Sequence, residues 1–182
     1  MITVEPTKLD GVCLIRPNRF GDNRGWFMES YSKKDFEEAG LHYEFVQDNR
    51  SFTERKGTVR GLHFQRPPMA QAKLLSCLRG SILDVAVDLR PDSPTYKDWV
   101  GVILTAEDPT QLLIPRGFAH GFVTLTDNVE FQYKVDHFYS PEHDGGIRWN
   151  DPDIGVEWGV SDPILSEKDM KSPFLRELGP VF

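Results

Sequence analysis

Gly and Pro interrupt this chain so often that a long helix has nowhere to form. Fifteen glycines and thirteen prolines are spread through 182 residues. Between them lie short runs rich in Val, Leu, Ile and Phe: "GVCLIRP", "VRGLHFQ", "AKLLSCLRG", "SILDVAVDLR", "WVGVILT", "QLLIP", "HGFVTLT" and "VEFQYKV". Most end at Gly, Pro, Asp or Asn, which predicts many short strands joined by turns. The economical architecture is a closed all-β sandwich or barrel, because closure removes unpaired strand edges. The mouth of such a barrel is also where a small ligand would sit.

One run alternates cleanly. In "ILDVAVDL", Ile82, Asp84, Ala86 and Asp88 fall on one face and Leu83, Val85, Val87 and Leu89 on the other. Two helical stretches stand out against the strands. "YSKKDFEEAGL" carries Ser32 as its cap, Asp35 three residues on and Gly40 as its stop. A second turn starts at Ser166 in "SEKDMKSPFL" and is limited by Pro173.

The length and the absence of repeats, low-complexity tracts or linkers predict one domain over residues 1–182. No apolar run reaches the about 20 residues that span a bilayer. The opening "MITVEPTKLDG" lacks the basic and apolar regions of a signal peptide. Cys13 and Cys77 are therefore expected as reduced thiols in a cytoplasmic protein. A net charge of −7 argues against nucleic acid as a partner. A small anionic ligand would need a local cationic cluster, for which Arg24, Arg60, Lys73 and Lys168 are candidates.

The run "VRGLHFQ", residues 59–65, poses the functional question. Strict strand alternation puts Val59, Gly61, His63 and Gln65 on one face and Arg60, Leu62 and Phe64 on the other. His63 is then a metal ligand, a base or a satisfied core histidine. Its surroundings resemble a cupin. Metal-binding cupins carry His-x-His, then Glu, six residues and Gly, followed later by Pro-x-Gly-x-x-His. "PRGFAH", from Pro115 to His120, matches the second motif. In the first, Gln65 stands at the second His, and Lys73, separated from Gly80 by six residues, stands at the Glu. An ammonium in a ligand ring repels a divalent ion by about 4 kcal/mol per unit charge at ~4 Å and an effective dielectric of about 20. Such a site is suited to stabilising an oxyanion by itself, so no metal is expected.

The segments "FGDNRGWFMESY", "FVQDNRS", "VRGLHFQRPP", "AQAKL", "DVAVDLR", "IPRGFAHGFVTL", "EFQYK", "YSPEHDGGIRWNDPDIGVEW" and "LSEKD" run in order. Together they resemble the dTDP-4-dehydrorhamnose 3,5-epimerase family. The resemblance implies a cupin-type jelly-roll β-sandwich or barrel with a few short helices, a homodimer and no cofactor. The implied partner is a dTDP-linked 4-keto-6-deoxy hexose, epimerised at carbons 3 and 5. It implies His63 as base, Asp169 as its partner, Tyr133 as acid and Lys73 as enolate stabiliser. Substrate-binding roles carry over to Arg24, Glu29, Gln47, Asn49, Arg60, His120, Tyr139, Asp144 and Lys168. The family often carries Glu where this chain has Asp144. Asp84, in a strand, is a rival partner for His63, and Tyr133 and Asp169 also have plain structural readings as a core aromatic and a turn cap. The competing function classes are a mono-epimerase, a metal-dependent cupin enzyme and a non-catalytic sugar-nucleotide binder.

Overall fold

A computed structural model describes residues 1–182. Thirteen short strands and three short helices make up the chain. The strands are β1 (Ile2–Pro6), β2 (Cys13–Pro17), β3 (Arg19–Asp22), β4 (Gly25–Met28), β5 (Gln47–Thr53), β6 (Val59–Gln65), β7 (Lys73–Arg79), β8 (Ser81–Asp88), β9 (Trp99–Thr105), β10 (Gln111–Ile114), β11 (Phe118–Thr124), β12 (Val129–Val135) and β13 (Asp144–Gly146). The helices are α1 (Lys33–Glu38), α2 (Glu167–Lys171) and α3 (Leu175–Leu178).

The strands form a six-stranded sheet, β1-β2-β10-β7-β12-β5, a five-stranded sheet, β13-β6-β11-β8-β9, and the separate hairpin β3-β4. The two large sheets pack face to face with antiparallel pairing throughout. The sandwich keeps its edges, at β1, β5, β13 and β9, rather than closing fully. Between the sheets lies an apolar cluster that includes Leu75, Cys77, Ile82, Ala86, Phe118, Phe122 and Phe131. The outer face of the five-stranded sheet is covered by the C-terminal segment, with Val59, Leu62, Phe64, Val85 and Val87 packed on Ile147, Trp158, Leu175 and Val181. This sheet is therefore buried on both faces, which is why β11 is buried at every position.

The alternation read in β8 holds: Ile82 and Ala86 face the inner cluster, while Val85, Val87 and Leu89 face the outer one. The two helices also form as expected. Ser32 accepts from the Asp35 N–H, and Ser166 accepts from the Asp169 N–H. Gly40, at φ +79°, follows α1 in the left-handed region. Cys13 and Cys77 are free, buried thiols whose pKa values burial raises to about 11.

Strict alternation in β6 fails. His63 pairs with His120 and Arg60 with Phe122, so three steps along β6 match two along β11. The extra residue is a β-bulge, and it reverses the parity of everything before it. Val59 joins Leu62 and Phe64 in the outer cluster, while Arg60 comes to the inner side with His63 and Gln65. Gly61 permits the bulge: at φ +132°, a Cβ there would lie 2.5 Å from the Gly121 Cα.

Candidate active site

A cavity of about 490 Å³ opens between the two sheets. Its walls come from different sheets. On the six-stranded side, Tyr133 of β12 pairs with Asn49 of β5 and with Leu75 of β7, while Val135 pairs with Gln47 and Lys73. Side chains two residues apart share a face. Tyr133, Lys73, Gln47 and Asn49 thus converge on the cavity from three adjacent strands. On the five-stranded side, His63 of β6 sits directly opposite His120 of β11, with Arg60, Gln65 and Asp144 nearby. α2 and the residues just before it close a third side with Ser166, Lys168 and Asp169.

Each histidine has its own carboxylate. His63 Nε2 lies 2.6 Å from Asp169 Oδ1, and His120 Nε2 lies 2.6 Å from Asp84 Oδ1. Asp84 is therefore the partner of His120, not the rival for His63. Asp169 is 3% exposed, so burial pushes its carboxyl pKa up. The His63 hydrogen bond and charge, the Ser166 hydroxyl and the Gly61 N–H outweigh that and hold it below the usual carboxylate value. A carboxylate on Nε2 fixes the tautomer with the proton there, which leaves the Nδ1 lone pair of His63 free. His120 is buried, and desolvation lowers its pKa despite the opposing pull of Asp84.

Lys73 is the buried cation of the cavity. Desolvation lowers its pKa from 10.5 to about 8, with Asp144 and Asp84 pulling the other way. Its Nζ lies 5.3 Å from the centre of the Tyr133 ring. Burial raises the Tyr133 phenol above its ordinary 10.0, so it is protonated near neutral pH. A base oriented by a carboxylate, a phenolic proton donor and a buried ammonium on one cavity are the parts that proton transfer at carbon requires.

At the mouth, Lys168 is paired with Asp144, and Tyr139 Oη donates to the same carboxylate at 3.4 Å. Arg60 spans the gap between the sheets, donating to Thr53 Oγ1 at 3.1 Å and to the Phe52 carbonyl at 3.2 Å. Eleven of the thirteen residues singled out from the sequence line the cavity: His63, Tyr133, Asp169, Lys73, Gln47, Asn49, Arg60, His120, Tyr139, Asp144 and Lys168. Arg24 and Glu29 do not. Arg24 is exposed at the tip of the β3-β4 hairpin, where its guanidinium pairs with Asp22 at 2.6 Å, and Glu29 is exposed just beyond β4.

A family model described as dTDP-4-dehydrorhamnose 3,5-epimerase matches residues 6–177. The chain belongs to the dTDP-4-dehydrorhamnose 3,5-epimerase family. It is 52% identical over 170 residues to the epimerase of that name from Shigella flexneri, covering 93% of each chain. The Bacillus anthracis epimerase crystallised with TDP and pyrophosphate superposes with a TM-score of 0.94 at 50% identity, over 96% of this chain and 100% of that one. The Legionella pneumophila epimerase in complex with dTDP-4-keto-L-rhamnose gives a TM-score of 0.92 at 42% identity, over 98% and 95% of the two chains. The fold of this epimerase-family chain is accordingly the cupin-like β-sandwich.

Two residues lining this cavity, Ser166 and Gln65, have no site role from the sequence, and Asp84 is read there as a partner for His63 rather than for His120. Asp84 is fully buried and holds His120; the alternation of β8 had already turned it inward. Ser166 caps α2 and so fixes the backbone of Asp169, a role its position three residues before Asp169 foreshadows. Gln65 lines the cavity but spends its amide on main-chain groups. Nothing in its local sequence signals that.

Proposed function

We propose that this protein is a cofactor-independent dTDP-4-dehydrorhamnose 3,5-epimerase. It converts dTDP-4-dehydro-6-deoxyglucose into dTDP-4-dehydro-L-rhamnose. The observation that carries this reading is a base and an acid on opposite walls of one cavity. His63, held by Asp169, comes from the five-stranded sheet; Tyr133, beside Lys73, comes from the six-stranded one.

The hydrogens on sugar carbons 3 and 5 flank the 4-keto group. His63 Nδ1 removes one as a proton, and the C–H electron pair becomes the enolate double bond as the carbonyl pair moves onto oxygen. Asp169 stabilises the imidazolium that results. Lys73 faces the developing oxyanion; one preorganised donor of this kind is typically worth about 2.7–4 kcal/mol. Tyr133 then delivers its phenolic proton to the carbon from the other wall, and the centre is inverted. The tyrosinate and imidazolium regain their protonation states from solvent before the second carbon reacts.

Arg60 and Lys168 answer the diphosphate, Tyr139 stacks on thymine, and Gln47, Asn49, His120 and Asp144 supply polar contacts around the sugar nucleotide. The β3-β4 hairpin supports a homodimer. It projects Phe20, Trp26 and Phe27 into solvent together with Arg24, away from its own chain's cavity. A second copy that buries those rings would bring Arg24 and Glu29 to a neighbouring site. Sedimentation should give twice the chain mass, and a monomer at assay concentration would refute the pairing. Reduced, buried Cys13 and Cys77 fit a cytoplasmic enzyme.

The deciding experiment is NMR of the dTDP-4-dehydro-6-deoxyglucose reaction in deuterated water with excess chelator. Deuterium should enter carbons 3 and 5 with inversion at both. Inversion at one carbon alone would make the protein a mono-epimerase, and no exchange at either would refute epimerisation. Loss of turnover to the chelator, restored by zinc or iron, would refute the metal-independent mechanism.

A further inference from the structure

Gln65 occupies the position where a metal-binding cupin would present a second histidine, yet its carboxamide is committed to the main chain. Its Nε2 donates to the Met69 carbonyl at 2.7 Å and to the Phe138 carbonyl at 3.2 Å, and its Oε1 accepts from the Ser140 N–H at 2.7 Å. The side chain is only 4% exposed. A carbonyl just before Tyr139 and an N–H just after it are thus bound by one amide. A residue on a neighbouring parallel strand makes the same pair of bonds. Gln65 therefore takes the place of a strand that the sheet lacks at this point.

The Tyr139 N–H is held in turn by Gln47 Oε1 at 3.2 Å. The ring itself stays exposed at the cavity mouth. Through its own backbone Gln65 also pairs with Asp144, the carboxylate that receives the Tyr139 hydroxyl and Lys168. One side chain on rigid β6 thereby sets a loop segment that has no ladder of its own.

We propose that Gln65 is a positioning residue for nucleotide binding: it fixes the Phe138–Ser140 segment so that the Tyr139 ring is set before the base arrives. This rests on the reading of Tyr139 as the residue that stacks on thymine. Ordering a free segment on binding subtracts from affinity, and preorganisation removes that cost. Only an amide suits the task. It donates and accepts in one plane, whereas an ionised Glu only accepts and a Met has no donor and only a weakly accepting sulfur.

The test is calorimetric titration with dTDP, run beside steady-state kinetics. Gln65→Met should weaken dTDP binding by about tenfold or more, the factor that ~1.4 kcal/mol represents. KM should rise in step while kcat holds. Gln65→Glu, which sets a carboxylate oxygen against the Met69 and Phe138 carbonyls in a buried site, should weaken binding at least as much as Met. In a Tyr139→Ala background, Gln65→Met should cost no further affinity. Wild-type affinity in a folded Gln65→Met or Gln65→Glu variant would overturn the proposal. So would additive losses in the double variant, or a fall in kcat at unchanged dTDP affinity. A measurement on the wild-type protein stands apart from any folding defect. The Tyr139 and Ser140 amides should be protected from hydrogen exchange without dTDP; fast exchange that slows only when dTDP binds would overturn the claim. Failure of the wild-type protein to bind dTDP would instead overturn the epimerase reading.

Discussion

Replacing Lys73 by Met should make the protein more stable and nearly inactive. Lys73 is 9% exposed, and burial lowers its ammonium pKa from 10.5 to about 8. At about 1.4 kcal/mol for each factor of ten, holding that charge at pH 7 costs about 3 kcal/mol. Met fills a similar volume without charge and packs against the Tyr133 ring that Lys73 now covers. The attraction of Asp144 and Asp84 is already contained in that lowered pKa, so the net gain at pH 7 should be about 3 kcal/mol. The sign follows from the direction of the shift. With its folded pKa below its unfolded one, the group destabilises the fold fully below about pH 8. That penalty disappears as pH rises from about 8 to 10.5. The variant lacks it altogether, so its advantage should shrink across the same interval.

Turnover should move the opposite way. Loss of one oxyanion donor typically lowers kcat by about 10²–10³, and a charged donor belongs at the upper end. In the wild-type enzyme, kcat/KM should decline above about pH 8 as Lys73 loses its proton. Urea denaturation at several pH values, paired with kcat for the 4-keto sugar nucleotide, measures both sides. A variant less stable than wild type at pH 7 would refute the burial cost, and one that keeps kcat within about tenfold would refute the oxyanion role.

Two further substitutions separate the proton-transfer steps. His63→Ala should abolish both epimerisation and solvent exchange at carbons 3 and 5 while dTDP still binds, because the proposed phosphate and base contacts, Arg60, Lys168 and Tyr139, are other residues of the cavity; near-normal exchange at either carbon would remove His63 from the base role. Tyr133→Phe should lower inversion by about 10²–10⁴, the usual range for a positioned acid, while His63 continues to exchange protons on its own face. Deuterium incorporation and product stereochemistry are read in one tube, and exchange falling together with inversion would assign Tyr133 to geometry instead.

Much of the architecture follows from local chemistry. Branched and aromatic runs bounded by Gly and Pro specify strands, the period-two pattern of β8 specifies its two faces, and Ser32 and Ser166 specify where helices begin. Those signals are local because steric preference and capping act over a few residues. The strand β5 escapes them because its inward face is polar. Gln47, Asn49 and Ser51 point into the cavity and Phe52 points out, so its polarity is inverted relative to an ordinary half-buried strand.

What tertiary structure alone decided is which residues meet. The Gly61 bulge sends Arg60 to the cavity and Val59 to the core, at a point where Gly61 lies too close to Gly121 of β11 to carry a side chain. The choice of Asp169 for His63 and Asp84 for His120 spans 106 and 36 residues of chain, respectively. Strand order fixes both, and no local spacing encodes it. The same holds for the three main-chain bonds of Gln65 and for the hairpin that carries Arg24 away from its own cavity. Side-chain identity is written residue by residue, but a site assembled from two sheets and a C-terminal helix depends on how distant segments pack, and the packing sets which charges lose their water.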